Sequence, residues 1–90
     1  MRRILVVEDD DTMREGMVTV LSAMGHEVLA ARDGLEGRDR FAEAHGKRPI
    51  ALVLTDLRME GLDGMALLRH LRETAPETVV IMITAFGSIE

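Results

Sequence analysis

Ile4-Leu5-Val6-Val7-Glu8-Asp9-Asp10 decides the fold of this 90-residue chain. Four apolar residues run without alternation into three acids. A short, unbroken, β-branched-rich run is a strand buried on both faces, and such strands belong to parallel sheets. A second stretch repeats the pattern: Ile50-Ala51-Leu52-Val53-Leu54-Thr55 runs straight into Asp56. Ligand sites in open α/β sheets lie just beyond the carboxyl ends of the strands. If the two strands are neighbours, Glu8, Asp9 and Asp56 converge at one sheet edge. Carboxylates gathered there repel one another, so the cluster calls for a cation.

The rest of the chain alternates helix and strand. Asp11 is expected to cap a first helix, whose stripe of Met13, Met17, Val20, Leu21 and Met24 is expected to be core. Gly25 follows as a residue able to take positive φ. Residues 26–31 read as a short edge strand. Asp33-Gly34 opens a second helix with Leu35, Phe41 and Ala42 inward, weakened by Gly37 and ended by Gly46. After the strand at 50–55, residues 56–64 carry turn chemistry throughout. A third helix puts Met65, Leu68, Leu71 and Ala75 on one face and stops at Pro76. Residues 78–84 form another apolar strand, and Ser88 reads as the cap of a further helix. The order β-α-β-α-β-α-β, with right-handed crossovers, predicts one α/β domain over residues 1–90, a doubly wound parallel sheet.

Composition narrows the function classes. Net charge is −5, from 11 basic and 16 acidic residues, which argues against nucleic-acid binding by this segment. The only aromatic rings besides histidine are Phe41 and Phe86, too few for a base-stacking surface. There is no cysteine, hence no disulfide framework and no thiolate metal site. No apolar stretch reaches membrane-spanning length, and Met-Arg-Arg with four apolar residues is too short for a signal peptide. A cytoplasmic protein without a membrane partner is the expectation. His26, His45 and His70 read as surface residues rather than ligands or bases.

Glu8, Asp9 and Asp56 suit a hard cation such as Mg²⁺, which takes oxygen ligands and keeps several waters. Asp56 is more than a candidate ligand, because a carboxylate can attack phosphorus and form an aspartyl-phosphate. A carboxylate ending an apolar strand is half buried and needs a partner. Thr84, ending the last apolar run, places a hydroxyl where a phosphoryl oxygen would lie. Asp10 and Asp11 read as caps or solvated charges, and Gly61 and Gly64 as turn residues. Arg58 reads as a solvated side chain whose backbone carbonyl lies within reach of a metal.

Taken together, Val6-Val7-Glu8-Asp9-Asp10 with Arg14 beyond, Leu52-Val53-Leu54-Thr55-Asp56-Leu57-Arg58-Met59, Gly61-Leu62-Asp63-Gly64 and Ile81-Met82-Ile83-Thr84-Ala85 resemble the receiver domain of a bacterial two-component response regulator. The ending from Ile83 to Glu90 is similar to regulators of the nitrogen-control type, transcription factors that activate the sigma-54 polymerase. The resemblance implies a flavodoxin-like fold with strand order 2-1-3-4, its fifth strand and last helix absent. It implies a phosphorelay module, not an enzyme, with a sensor histidine kinase as partner and Mg²⁺ as cofactor. Asp56 would be the phospho-acceptor. Asp9 and Asp56 would bind the metal directly, Glu8 through water, and Arg58 through its backbone carbonyl. Thr84 and Ala85 would contact the phosphoryl group and act in the switch.

Two departures stand out. Glu60 occupies a position where receivers usually carry proline, and it adds a charge near the site. The lysine and the aromatic switch residue of the fifth strand have no counterpart, so impaired phosphorylation is expected. Without that strand, Val79–Ile83 becomes an apolar edge, expected to drive homodimerisation, element swapping or cover by another chain. Two other functions compete. Glu8-Asp9-Asp10-Asp11-Thr12 approaches the Asp-x-Asp-x-Thr signature of haloacid-dehalogenase-type phosphatases, with Glu8 in the nucleophile's place. A phosphorylation-independent interaction module is the other.

Overall fold

The computed structural model describes residues 2–57 and 62–83. Its elements are β1 (Arg3–Val7), α1 (Asp11–Ala23), β2 (Glu27–Ala31), α2 (Gly34–Lys47), β3 (Leu52–Asp56), α3 (Gly64–Thr74) and β4 (Val79–Ile83). The four strands form one sheet in the order β2-β1-β3-β4, with every pairing parallel. This is the expected doubly wound, flavodoxin-like arrangement over the described residues. No described helix is long and apolar enough to cross a membrane.

β1 is central because it is apolar on both faces. Leu5 lies between Leu29 and Val53, and Val7 between Ala31 and Thr55. Leu5 and Val7 join Phe41 of α2 and Leu67 and Leu71 of α3 in the core, all buried. Full burial of each such side chain contributes about 1.5–3 kcal/mol. Alternation sends Ile4 and Val6 to the opposite face, toward α1.

Several expectations about helix faces need correction. Asp10, not Asp11, caps α1: its backbone is extended and its carboxylate accepts the Met13 N–H at 2.9 Å. No residue of α1 is buried, and Met13, Val20 and Met24 of the expected core stripe are exposed. The helix rests on β1 and β2, and its remaining apolar side, with Leu54, walls an open groove of about 480 Å³. In α2 the inward residues are Gly34, Gly37 and Phe41, while Leu35 and Ala42 face solvent. Gly46 lies inside that helix, which runs to Lys47. In α3 the buried face is Gly64, Leu67 and Leu71, and Met65 is exposed. Gly25 takes φ 94°, as its position after α1 requires.

The amino end of the sheet is a closed polar network. Arg3 pairs with Glu27 at 3.2 Å and donates to the Ala44 and Arg48 carbonyls, while Arg48 also pairs with Glu27. His45 is not a free surface residue. Its Nδ1 accepts the Ile50 N–H at 3.0 Å, its Nε2 lies 3.0 Å from Glu77, and its ring stacks on Phe41. Because Nδ1 accepts, the proton of the neutral ring sits on Nε2 and is donated to Glu77.

Gly37 is a packing residue, not a flaw in α2. A Cβ there would lie 2.9 Å from Val7 Cγ2, a methyl fixed in the sheet. Gly16 of α1, by contrast, has nothing within 4 Å of that position. Helix propensity alone favours alanine at both sites by up to about 1 kcal/mol. Gly16→Ala should therefore stabilise by roughly that amount, while Gly37→Ala destabilises by about 1–3 kcal/mol through overpacking. Urea denaturation of the two variants checks the opposite signs.

Candidate functional site

The register of β1 on β3 builds the site. Val7 pairs with Thr55, so the next residue on each strand, Glu8 and Asp56, stand side by side at the carboxyl edge of the sheet. The Glu8 N–H continues the ladder to β2, donating to the Ala31 carbonyl at 3.0 Å. Asp9 follows in the loop to α1. One carboxylate oxygen from each of Glu8, Asp9 and Asp56 lies within 4.8 Å of the others. Glu8 is only 2 % exposed, Asp56 is half buried and Asp9 is open to solvent.

Burial is the main cause of the raised pKa of Glu8. The Asp10 N–H, donated to Glu8 Oε2 at 3.0 Å, opposes the rise. A hydrogen bond with the Asp9 carboxyl and the charges of Asp56 and Asp9 add to it.

The backbone around Asp56 is held from two directions. Thr55 is fully buried and its hydroxyl donates to the Asp56 carbonyl at 3.1 Å. Leu57 N–H donates to Ile83 of β4 at 3.2 Å, and Gly64 N–H returns to the Leu57 carbonyl at 3.0 Å. Gly64 is required here for space, since a Cβ would sit 2.3 Å from the Asp56 carbonyl oxygen. Gly34 does the same for the other side of the loop, where a Cβ would lie 1.7 Å from the Leu62 carbonyl oxygen. Neither close approach leaves a hydropathy signal, so sequence reasoning placed Gly64 in a turn and Gly34 at a helix start without seeing either contact.

The donor set fits a small hard cation. Opposite ligands on a Mg²⁺ octahedron with bonds of about 2.1 Å stand about 4.2 Å apart. Oxygens within 4.8 Å of one another reach that spacing by small rotations or through one bridging water. Glu8, Asp9 and Asp56, the acids expected from the sequence, are thus brought together. Arg58, Glu60, Thr84 and Ala85 lie outside the described residues, as does Ser88.

Comparison with known proteins adds independent findings. The "Response regulator receiver domain" family matches residues 4–90. The chain is 42% identical over 87 residues to the response regulator MprA of Mycobacterium avium, covering 97% of this chain and 36% of that protein. It thus spans about a third of the length of the curated relatives it matches. Among solved structures, response regulator TrrA of Thermotoga maritima, in complex with Mg²⁺-BeF, superimposes with a TM-score of 0.85 at 30% identity, covering 98% of this chain and 73% of that one. The receiver domain of NtrX from Brucella abortus gives a TM-score of 0.79 at 36% identity over 96% of this chain and 70% of that one. The strand order, the acidic edge and these likenesses agree: the chain belongs to the response regulator receiver domain family, the phospho-acceptor modules of two-component signalling.

Proposed function

We propose that Asp56 is the phospho-acceptor of this receiver, that a sensor histidine kinase supplies the phosphoryl group, and that Glu8, Asp9 and Asp56 hold the Mg²⁺ the transfer needs. The observation that carries this reading is the meeting of carboxylate oxygens from two strand ends within 4.8 Å. The TrrA structure, a complex with Mg²⁺-BeF, supports the same cation here. The phosphatase reading is not favoured, because the residue in the nucleophile's place, Glu8, is buried and accepts the Asp10 N–H.

In the reaction, an Asp56 carboxylate oxygen attacks phosphorus. The bond from phosphorus to the donor atom breaks, and its electron pair leaves with the donor, which takes up a proton. A divalent cation held by Glu8, Asp9 and Asp56 would supply neutralisation of the developing charge. The chain's own residues do the positioning. β3 and Gly64 fix the acceptor's backbone, which keeps the nucleophile in line without a reorganisation step. Asp9 and Asp56 would hold the ion directly and Glu8 through water, with the Arg58 backbone carbonyl as a further oxygen. Thr84 and Ala85 would bind the phosphoryl group and carry the switch. The chain's own catalytic part would be at most self-catalysed phosphoryl transfer and self-dephosphorylation. The wider regulator that this chain belongs to would act on transcription from the cytoplasm.

The edge of β4 offers a contact between copies. Val79 is 56% and Ile81 46% exposed, and no described strand covers their outer side. An apolar, unpaired edge pairs with another strand. Sedimentation velocity is expected to show self-association that Ile81→Lys reverses, and a monodisperse wild-type monomer overturns this pairing.

Incubation with Mg²⁺ and acetyl phosphate, followed by mass mapping, should place a labile adduct on Asp56. Asp56→Asn should lose it, and an adduct that maps to another residue or survives Asp56→Asn rejects the acceptor reading.

Among the described carboxylates whose pKa is shifted, Glu8 is the one raised by its surroundings, so it destabilises the metal-free protein as it ionises. Its folded pKa lies above the unfolded value, so the stability it contributes is full below the unfolded carboxylate pKa and lost as pH rises through the raised one. Glu8→Gln removes that loss. In EDTA the variant should be more stable than wild type at neutral pH, and the gap should close in acid. Its Mg²⁺ affinity should fall by about 10- to 100-fold. Urea titrations at two pH values and a Mg²⁺ titration read both effects.

A further inference from the structure

Glu8, Asp9, Asp10 and Asp11 are four consecutive acids that run from the end of β1 into the first residue of α1. Left to their mutual repulsion, they would spread the loop. Internal bonds shape the run. The Asp10 carboxylate accepts the Met13 N–H, and the Asp10 N–H donates to Glu8 Oε2. The remaining brace is Arg14. From the first turns of α1 its Nη1 donates to the Glu8 backbone carbonyl at 2.9 Å, and its Nη2 pairs with the Asp11 carboxylate at 2.5 Å. The side chain is 13% exposed, although it lies outside the apolar core. One planar guanidinium thus grips the first and last residues of the acidic run. A rigid fork can serve two acceptors at a fixed angle, which a single ammonium cannot.

We propose that Arg14 is the positioning residue of the divalent-cation site. It clamps the β1–α1 acidic loop so that Asp9, between the two gripped points, presents its carboxylate to the ion shared with Glu8 and Asp56. The inference rests on the metal reading made above. It carries an unusual sign. A positive charge beside a cation site repels the ion, so an arginine acting through charge alone would weaken metal binding. Removing it would then tighten binding. A clamp behaves in the opposite way, and loss of a group that orients metal ligands typically costs 10- to 100-fold in affinity.

The test uses the intact protein with Mn²⁺ as the spectroscopic probe, read by electron paramagnetic resonance, and Mg²⁺ in competition. Arg14→Gln should weaken Mn²⁺ binding about tenfold. The loss should persist at high salt, where a charge effect is screened. Arg14→Lys keeps the charge but not the fork, and should weaken binding to a similar degree. Without metal, the amides of Asp9 and Asp10 should exchange faster in both variants, while those of β1 do not change. Unchanged or tighter binding in Arg14→Gln, or wild-type affinity in Arg14→Lys, overturns the clamp. Arg14→Lys, a mild change on a helix, carries the test alone if Arg14→Gln does not fold. A wild type that binds no Mn²⁺ rejects the metal reading itself, a result distinct from wild-type binding that the variants retain.

Discussion

The pairing of Val7 with Thr55 is the constraint on which the site depends. Neighbouring strands stand about 4.8 Å apart, and that spacing cannot be relaxed without breaking the ladder. It fixes the next residues, Glu8 and Asp56, at the same spacing. Two like charges therefore meet because the backbone compels it, and Asp9 adds a third. Glu8 is buried as well, so water cannot screen it, and its carboxyl is held above the usual range. The Asp10 amide answers part of this charge, and Arg14 braces the loop that carries it. A bound cation would answer the rest.

Precision in the second half of the site comes from missing side chains. α3 begins at Gly64, eight residues after Asp56. Leu57 is tied to β4 and Gly64 is tied to Leu57. Gly64 lets α3 start against the Asp56 carbonyl, and Gly34 lets α2 start against the Leu62 carbonyl. Two helix N-termini thus pack directly on backbone, that of Leu62 and that of Asp56. A methyl group at either glycine would push backbone rather than a flexible side chain: at Gly64 the Asp56 carbonyl itself, at Gly34 the Leu62 carbonyl.

The elements that sequence alone made legible share one property: their signal is local. Unbroken apolar runs marked β1, β3 and β4, and an acid at the end of two of them marked the site. Gly25 announced its own positive φ. Helix faces were harder, because hydrophobicity at a helix start does not say which way that residue turns. Leu35 and Met65 stand in the first turns of α2 and α3, beyond the sheet's cover, and both are exposed while Gly34 and Gly64 beside them are buried. Glycine carries no hydropathy signal, so a contact made by the absence of a side chain is invisible to periodicity. Asp10 displaced Asp11 as the cap for a similar reason: three aspartates in a row satisfy the same rule, and only backbone geometry selects one. His45 was misjudged because its partners, Ile50 and Glu77, come from other segments.

The two edges of the sheet are built in opposite ways, and the contrast explains how the domain can be both stable and responsive. At the amino edge the charges that cross between elements are paired: Arg3 and Arg48 share Glu27, and His45 joins Ile50 and Glu77. At the carboxyl edge Glu8, Asp9 and Asp56 hold charge that the chain compensates only in part. Any species that binds the folded state and supplies positive charge must then stabilise it. Linkage puts this at about 2.7 kcal/mol for a ligand at a hundred times its dissociation constant. That is a large share of the 5–15 kcal/mol that holds a typical domain together. A cation at this edge would therefore do more than assist transfer to Asp56: it would decide how firmly the strand ends and the loops beyond them are held.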